Sequence, residues 1–394
     1  MISNKKILLK NIINNLQSSN LDAYLIYDNS IQNSDLYYIT NFKSEDPFFY
    51  IITKKEIDII LISDMEKKRV FKESNVMNIL TYSDFPIKKD INKDDIIIDI
   101  LHQIFYKYNI YNIGIPKDFP SILYFLLTKK NKYKYSIIKS PIKKEREIKN
   151  KEEIKYIKQS VNAAEFAMKT TIEKLKKLSI KDNILYDKKK NRAVTGEDIR
   201  NYIDQKLIKK SCYSFSTIVS CGIDTENPHG TTNCVLKSNE PIIIDIFPRS
   251  IKTLYYGDMT RTVVRGNASE KLKDIYNTVK EAQEEGIKMI KPNITCFDIH
   301  NKVCDIIERN GYHTIRNCNE NIGFNHSTGH GVGLDIHEAP NISDSNYKLK
   351  EGNVITIEPG LYYPKIGGVR IEDTIYVTKK GYKNLNKYEK IFEI

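Results

Sequence analysis

Carboxylate side chains stand at the ends of apolar, strand-like runs in the second half of this 394-residue chain, and this pattern restricts its fold most strongly. Asp245 ends the run PIIID, Asp258 opens DMTRTVV, and Glu358 ends VITIE just before a Pro-Gly pair. Singly, each carboxylate is typical of a turn or an exposed strand position. Burying one costs free energy unless it is paired, hydrogen-bonded or bound to a metal. Together they favour a fold that gathers several strand ends around cations.

Two further segments supply the rest of a ligand set. The segment HSTGHGVGLDIHEAP carries His326, His330 and His337, and the glycines that alternate with them argue against a helix. In GGVRIEDT, Arg370 and Glu372 share one strand face. Two Asp, two Glu and one His form a hard, oxygen-rich set that suits one or two divalent cations of the Mn²⁺ type, with Co²⁺, Fe²⁺ or Zn²⁺ as alternatives.

The sequence contains no complete version of three other common catalytic motifs. The segment His337-Glu338-Ala339-Pro340-Asn341 begins like H-E-x-x-H, but it contains a proline and has Asn341 in place of the second histidine. The glycines around His330 lack the Gly-Lys-Ser/Thr ending of a phosphate loop, and no G-x-S-x-G motif occurs. The first 140 residues contain one histidine, His102, and no cysteine, so we expect no metal cluster there.

Apolar spacing predicts alternating elements along the whole chain. Helices are predicted at the N-terminus, over 154–178, and from Thr195, Ala268 and Thr295. Strands are predicted over 24–27, 48–53, 57–62, 96–100, 216–220, 241–247, 258–264, 353–357 and 368–377. Residues 183–194 are predicted to form an exposed loop.

The four segments, in this order, resemble the pita-bread metallopeptidases, which include Xaa-Pro aminopeptidases, prolidases and, more distantly, methionine aminopeptidases. The first part of the chain resembles the creatinase/prolidase N-terminal domain in its order of elements and in the segment YYITNF at 37–42. The resemblance implies an α+β chain with a C-terminal pita-bread (creatinase/aminopeptidase) fold over 143–394. A smaller α/β creatinase-like N-terminal domain over 1–142 precedes it.

The resemblance also implies a role for each residue. Two divalent cations would be bound by five ligands: Asp245, Asp258, His330, Glu358 and Glu372. Of these, Asp258 and Glu372 would bridge both ions. The side chains implied to act on the substrate or beside the ligands are His229, His326, His337, Glu358 and Arg370. Glu358 would shuttle a proton, His337 would donate to the developing oxyanion, and His229 would lie near the leaving nitrogen.

The implied activity is hydrolysis of the Xaa-Pro bond at peptide N-termini by a hydroxide that bridges two cations. The substrates would be peptides with proline at the second position. Two alternatives stay open: a prolidase that cleaves Xaa-Pro dipeptides, and a non-catalytic binding protein of the same fold.

Two departures from the family pattern bear on these alternatives. Twelve residues separate Asp245 from Asp258, and Phe247-Pro248 stands where the family usually has a glycine, so the connection between these ligands must differ. Some dipeptide-specific members carry an arginine after H-E-x-P that clamps the substrate carboxylate. Here that position is Asn341, and no arginine occurs between Arg316 and Arg370, which favours longer peptides.

Charge and cysteine usage predict the partners and the compartment. The net charge is +12, and residues 129–158 contain 12 Lys or Arg against 4 Glu. We interpret this stretch as a solvated linker and helix face, so nucleic-acid binding is a minor alternative. The N-terminus lacks a signal-peptide pattern, no apolar run could span a bilayer, and the six cysteines form no C-x-x-C pair. We therefore expect a cytoplasmic protein with free thiols and no membrane partner. The resemblance implies a homodimer.

Overall fold

A computed structural model of the protein describes residues 2–86, 93–129, 131–230, 233–316 and 321–394. The chain forms two compact units, Met1–Arg146 and Glu147–Ile394. The boundary predicted after residue 142 falls within a short helix, Pro141–Arg146.

The first unit is built around a six-stranded mixed sheet with helices on both faces. Its helices are α1 (Ile2–Ser18), α2 (Ser34–Thr40), α3 (Lys67–Glu73), α4 (Lys93–Tyr108), α5 (Ser121–Thr128) and α6 (Pro141–Arg146). Its strands are β1 (Ala23–Asp28), β2 (Phe48–Thr53), β3 (Asp58–Ile62), β4 (Asn78–Thr81), β5 (Asn112–Ile115) and β6 (Lys134–Ile137). The strand order is β4-β3-β2-β1-β5-β6, and every residue of β2 is buried because apolar clusters cover both faces of the sheet.

The strand predicted over 96–100 is wrong, because these residues lie inside α4. The buried side chains of this helix include Ile98, Leu101 and Phe105, which recur at intervals of three and four and pack against one face of the sheet. A short apolar run such as IIIDI fits a buried strand and a buried helix equally well from its periodicity.

The second unit contains four long helices and several small sheets. Its helices are α7 (Lys151–Lys177), α8 (Gly196–Ile208), α9 (Glu270–Lys288) and α10 (Cys296–Arg309). Its first strands are β7 (Ser179–Lys181), β8 (Ile184–Asp187), β9 (Arg192–Ala193), β10 (Cys212–Tyr213), β11 (Ile218–Cys221), β12 (Pro241–Asp245), β13 (Arg249–Ser250) and β14 (Thr260–Val264). The remaining strands are β15 (Ile315–Arg316), β16 (Asn321–Ile322), β17 (Gly329–Gly331), β18 (Glu338–Ile342), β19 (Val354–Ile357), β20 (Gly360–Tyr363), β21 (Gly367–Arg370), β22 (Asp373–Val377) and β23 (Tyr382–Asn384).

Helix capping follows the sequence closely in this unit. Asn150 caps α7 by accepting hydrogen bonds from the backbone of Glu152 and Glu153. The predicted starts of α8 and α10 are confirmed, because Thr195 and Thr295 each form a reciprocal capping box with the aspartate three residues later.

Three local predictions differ from the structure. The loop predicted over 183–194 is confined to an exposed turn at 188–191, because the residues on either side form the paired strands β8 and β9. The strand predicted over 368–377 is split, because β21 pairs with β20 whereas β22 pairs with β19. The expectation that all cysteines are free is wrong for Cys221 and Cys234, which form a disulfide across the segment that contains His229. Cys318 lies outside the described residues.

The basic stretch 129–158 is not uniformly solvated. Arg146 is buried against Asp35 in the first unit, with 2.6 Å between Nη1 and Oδ1. Lys149 is buried against Glu338 in the second unit. No helix among the described residues has the length and hydropathy to cross a bilayer.

Candidate metal centre and active site

The first pair of carboxylates is placed by the ladder between β12 and β14. Asp245 pairs with Thr260 at the end of this antiparallel ladder, and Asp258 lies two residues before Thr260. The intervening connection carries β13, which pairs with β10 and accounts for the unusual spacing of the two aspartates. The backbone N–H of Met259 donates to Oδ1 of Asp258 at 3.0 Å. Both aspartates are buried.

The second pair of carboxylates is placed by the ladder between β19 and β22. Ile357 pairs with Asp373 at the end of this ladder. Glu358 and Glu372 therefore occupy the next positions along the two neighbouring segments. Thr260 joins this ladder to the first one, because its hydroxyl donates to Oε2 of Glu372 at 2.7 Å. The backbone N–H of Glu372 in turn donates to the Thr260 carbonyl at 3.1 Å.

His330 completes the cluster from β17. A Cβ at Gly329 would overlap the carbonyl of Thr356 on β19, so only glycine lets β17 approach this closely. The Nε2 atom of His330 lies 3.2 Å from Glu358 and 3.7 Å from Asp258. Asp258, His330 and Glu372 each present a ligand atom, and these three atoms lie within 4.8 Å of one another.

The crowding of buried carboxylates shifts their protonation strongly. Burial, with the charges of neighbouring carboxylates, raises the pKa of Asp258 and of Glu372 well above the ordinary range. Burial also raises the pKa of Asp245, although the positive charge of Arg370 opposes this. Such a set favours either bound protons or bound cations.

Glu358 and His330 behave as an ion pair within this cluster. Burial alone would raise the pKa of Glu358, but its hydrogen bond to His330 and the charge of that ring lower it to about 2. Burial alone would lower the pKa of His330, yet Glu358 and then Asp258 raise it to about 9.

The donor atoms of this cluster fit divalent cations. Among the described residues, Oδ1 of Asp245 and Oε1 of Glu372 are buried and have no hydrogen-bond partner. A buried carboxylate oxygen without a partner is costly, and a cation would remove that cost. Oxygen-rich sets with one imidazole are the donors that Mn²⁺ and related ions prefer.

Arg370 holds the candidate ligand Asp245 in place. Its guanidinium is buried and donates from Nη2 to Asp245 at 2.8 Å. Its Nη1 donates to the Tyr362 hydroxyl at 2.8 Å and to the Pro228 carbonyl at 3.0 Å. The Tyr362 hydroxyl also lies 3.1 Å from Nε2 of His326. Sequence reasoning missed Tyr362, because a tyrosine in an apolar strand has no distinctive signal.

The remaining histidines border the cluster. Burial lowers the pKa of His326 to about 4, so this ring is neutral near pH 7. His337 packs edge-on against His330 with 4.4 Å between ring centroids, and burial followed by the charge of His330 lowers its pKa. His229 lies on an exposed loop, where its backbone N–H donates to the Asn227 side chain at 3.0 Å.

Both parts of the chain match known protein families. Residues 155–379 match metallopeptidase family M24, and residues 9–148 match the creatinase/prolidase N-terminal domain. This chain belongs to metallopeptidase family M24. It therefore has the pita-bread fold preceded by a creatinase-like domain, as its sequence predicts.

Several relatives of this M24 peptidase match it over nearly their whole length. The Xaa-Pro dipeptidase of Pyrococcus horikoshii is 33% identical over 394 residues, which are 99% of each chain. The solved prolidase from the same organism superposes with a TM-score of 0.79 at 31% identity, covering 97% of this chain and 99% of that one. The Xaa-Pro dipeptidase from Bacillus anthracis gives a TM-score of 0.84 at 26% identity, covering 99% and 100%.

A second buried arginine, Arg261, links the strands that carry the candidate ligands of this M24 peptidase. Arg261 follows Thr260 on β14, so strand alternation directs its side chain away from the cluster, and it donates to Asp373 at 2.8 Å. It also donates to the backbone carbonyl of Glu372 at 2.7 Å and to that of Tyr388 at 2.7 Å. These three acceptors lie more than 100 residues away along the chain, so strand alternation gives the direction of Arg261 but not its partners.

We expect Arg370→Lys to lower kcat/KM by about 10-fold, because one ammonium cannot serve three acceptors in the geometry of a guanidinium fork. Steady-state kinetics with saturating Mn²⁺ would measure this loss. Arg192→Lys, in an exposed ion pair with Asp198, is the matched control and should leave kcat/KM unchanged. Equal rates for Arg370→Lys and the wild type would contradict a role for the guanidinium.

Proposed function

We propose that this M24 peptidase is a prolidase, which hydrolyses the Xaa-Pro bond of dipeptides with two divalent cations. The observation that carries the proposal is the 33% identity to an Xaa-Pro dipeptidase across 99% of both chains. The comparisons thus favour the dipeptidase alternative over the aminopeptidase activity given first by the sequence analysis. The buried cluster of carboxylates supports the metal-dependent chemistry.

In this proposal the chain supplies both the metal ligands and the groups that move protons. The ligands are Asp245, Asp258, His330, Glu358 and Glu372, and the hard donor set makes Mn²⁺ the expected ion. Bound cations would lower the pKa of an attacking water and polarise the scissile carbonyl.

The side chains around the ligands have separate proposed tasks. The Glu358 carboxylate accepts the proton of the attacking water. His337 donates a hydrogen bond to the oxygen on which negative charge develops, and His229 lies near the departing nitrogen. Arg370 keeps Asp245 in position through its 2.8 Å contact, and Tyr362 orients His326.

One observation favours a second candidate, an Xaa-Pro aminopeptidase that acts on longer peptides. Asn341 is exposed on β18, at the position where the family resemblance places a carboxylate-clamping arginine in some dipeptide-specific members. An Arg–carboxylate contact is among the stronger charge-assisted hydrogen bonds. Without this arginine, the C-terminal carboxylate of a bound dipeptide lacks one charged partner. The carboxylate of a tripeptide does not require that partner.

A matched pair of substrates separates the two candidates. We expect kcat/KM to be higher for Xaa-Pro than for Xaa-Pro-Xaa at saturating Mn²⁺, by about 10-fold. Asn341→Arg should raise this preference, whereas Asn341→Gln is the neutral control of similar polarity. A clear preference of the wild type for the tripeptide would replace the prolidase proposal with the aminopeptidase. The homodimer and the cytoplasmic location stay predictions from the sequence.

A further inference from the structure

A buried ion pair lies beside the candidate site and is used by none of the roles above. The Nζ atom of Lys149 lies 2.5 Å from Oε1 of Glu338, and the two side chains are only 1% and 9% exposed. We propose that this pair positions His337, so that Lys149 and Glu338 are positioning residues for catalysis. The kinetic consequence rests on the proposed peptidase function.

Glu338 is built into the loop that carries His337. It follows His337 directly and pairs with Gly331 in the register between β18 and β17, one residue from His330. A Cβ at Gly333 would collide with the Glu338 carboxylate, so this carboxylate lies against the backbone of the loop. Fixing the Glu338 side chain therefore fixes the segment that ends in His337.

Lys149 is anchored independently of that loop. Its backbone N–H donates to the Gly352 carbonyl at 2.9 Å, just before β19. The next residue, Asn150, caps α7, and the capping partner Glu153 accepts a hydrogen bond from the Tyr255 hydroxyl at 2.7 Å. The start of α7 thus forms a fixed support from which the Lys149 ammonium reaches Glu338.

A backbone hydrogen bond also connects the loop to the segment that contacts the start of α7. Tyr256, next to Tyr255 and two residues before Asp258, donates its N–H to the Gly333 carbonyl at 2.8 Å. The loop 333–338 is therefore held at its start by Tyr256 and at its end by Lys149. Removing one partner of a buried ion pair leaves an uncompensated charge, which forces local rearrangement. In this place the rearrangement displaces His337.

Histidine NMR tests the positional claim without any substrate. The chain contains seven histidines, so ring resonances of selectively labelled protein are few, and His337→Ala identifies the signal of that ring. We expect Glu338→Gln to shift the His337 signal. The matched control is Asp35→Asn, which breaks a comparably buried pair with Arg146 in the first unit and should leave that signal in place. An unshifted His337 signal in Glu338→Gln would overturn the proposal.

Kinetics then test whether the pair acts through His337. We expect Glu338→Gln to lower kcat/KM by about 10-fold in the wild type, but by less than about 2-fold in a His337→Ala background. Metal content should be unchanged, and Lys149→Arg should retain activity because it keeps the charge. Equal losses in both backgrounds would show that the pair acts through another group and would contradict the proposal.

A second variant covers the case in which Glu338→Gln does not fold. The double substitution Lys149→Met with Glu338→Gln removes both charges and leaves no lone buried ion. It should shift the same His337 signal, because it removes the contact that holds the end of the loop 333–338, and an unshifted signal would again overturn the inference. Failure of the wild type to cleave any Xaa-Pro peptide would reject the proposed function instead, while the NMR result would still decide the positioning role.

Discussion

Removal of divalent metal is expected to abolish peptide hydrolysis by this M24 peptidase and to lower its melting temperature. Four carboxylates, three of them buried, converge on the site, and cations are the partners that offset their mutual repulsion. Cation binding to the native state alone stabilises the fold by mass action. Metal analysis after dialysis against Mn²⁺ should give about two ions per chain, and chelator should eliminate activity until Mn²⁺ is restored.

The stabilisation by metal should grow as the pH rises. In the metal-free fold the pKa values of Asp258 and Glu372 are raised above their ordinary values of 3.8 and 4.5. The folded state then binds more protons than the unfolded state, so the metal-free protein loses stability as the pH rises through and above those ordinary values. Metal replaces the protons, so the difference in melting temperature between Mn²⁺ and chelator should be larger at pH 8 than at pH 5.

Calorimetric melting curves at the two pH values would measure this difference. Full activity in chelator, with no metal found in the protein, would contradict the metal-dependent function. Equal melting temperatures with Mn²⁺ and with chelator at both pH values would contradict a preformed, convergent ligand set.

Replacing His330 and replacing His337 should have different consequences. His330→Ala removes a candidate ligand whose Nε2 lies among the carboxylates, so we expect loss of bound metal and of all measurable activity. His337→Ala should keep the metal and lower kcat by about 10²–10³-fold, the effect of losing one hydrogen-bond donor to a developing oxyanion. Metal content and kcat measured on the same preparations separate the two roles.

A third histidine provides the control for these two variants. His313→Ala removes an exposed histidine that we place in no part of the site, and its metal content and kcat should match those of the wild type. If His330→Ala and His337→Ala both retain metal and differ little in rate, the division between ligand and substrate-binding histidine is wrong.

The candidate ligands could be predicted because their signal is local. Asp245 and Glu358 each end an apolar strand, and the glycines around His330 exclude a helix. Strand pairing then brings Asp245 and Glu358 together, since both ladders end at the cluster, and the pairing of β17 with β19 places His330 beside them. The order of the four segments therefore contains most of the information about the site.

The partners of buried basic residues could not be predicted in this way. Lys149 and Arg146 lie in a stretch rich in lysine, where a solvated surface is the ordinary expectation. Their partners, Glu338 and Asp35, are separated from them by more than 100 residues. Only tertiary packing makes these two basic residues buried while their neighbours are exposed. The contacts of Arg261 could not be predicted for the same reason.

The connection between Asp245 and Asp258 has a consequence for how this chain can change length during evolution or by engineering. Both aspartates are placed by the β12–β14 ladder, while the extra residues lie in the excursion through β13, outside that ladder. Insertions at the exposed residues 251–252 should therefore be accommodated without moving either aspartate. A one-residue insertion within β12 would instead turn Asp245 to the opposite face of the sheet, because side-chain direction alternates along a strand. Lineages and engineered variants should thus differ in length in this excursion and keep the two ladders constant.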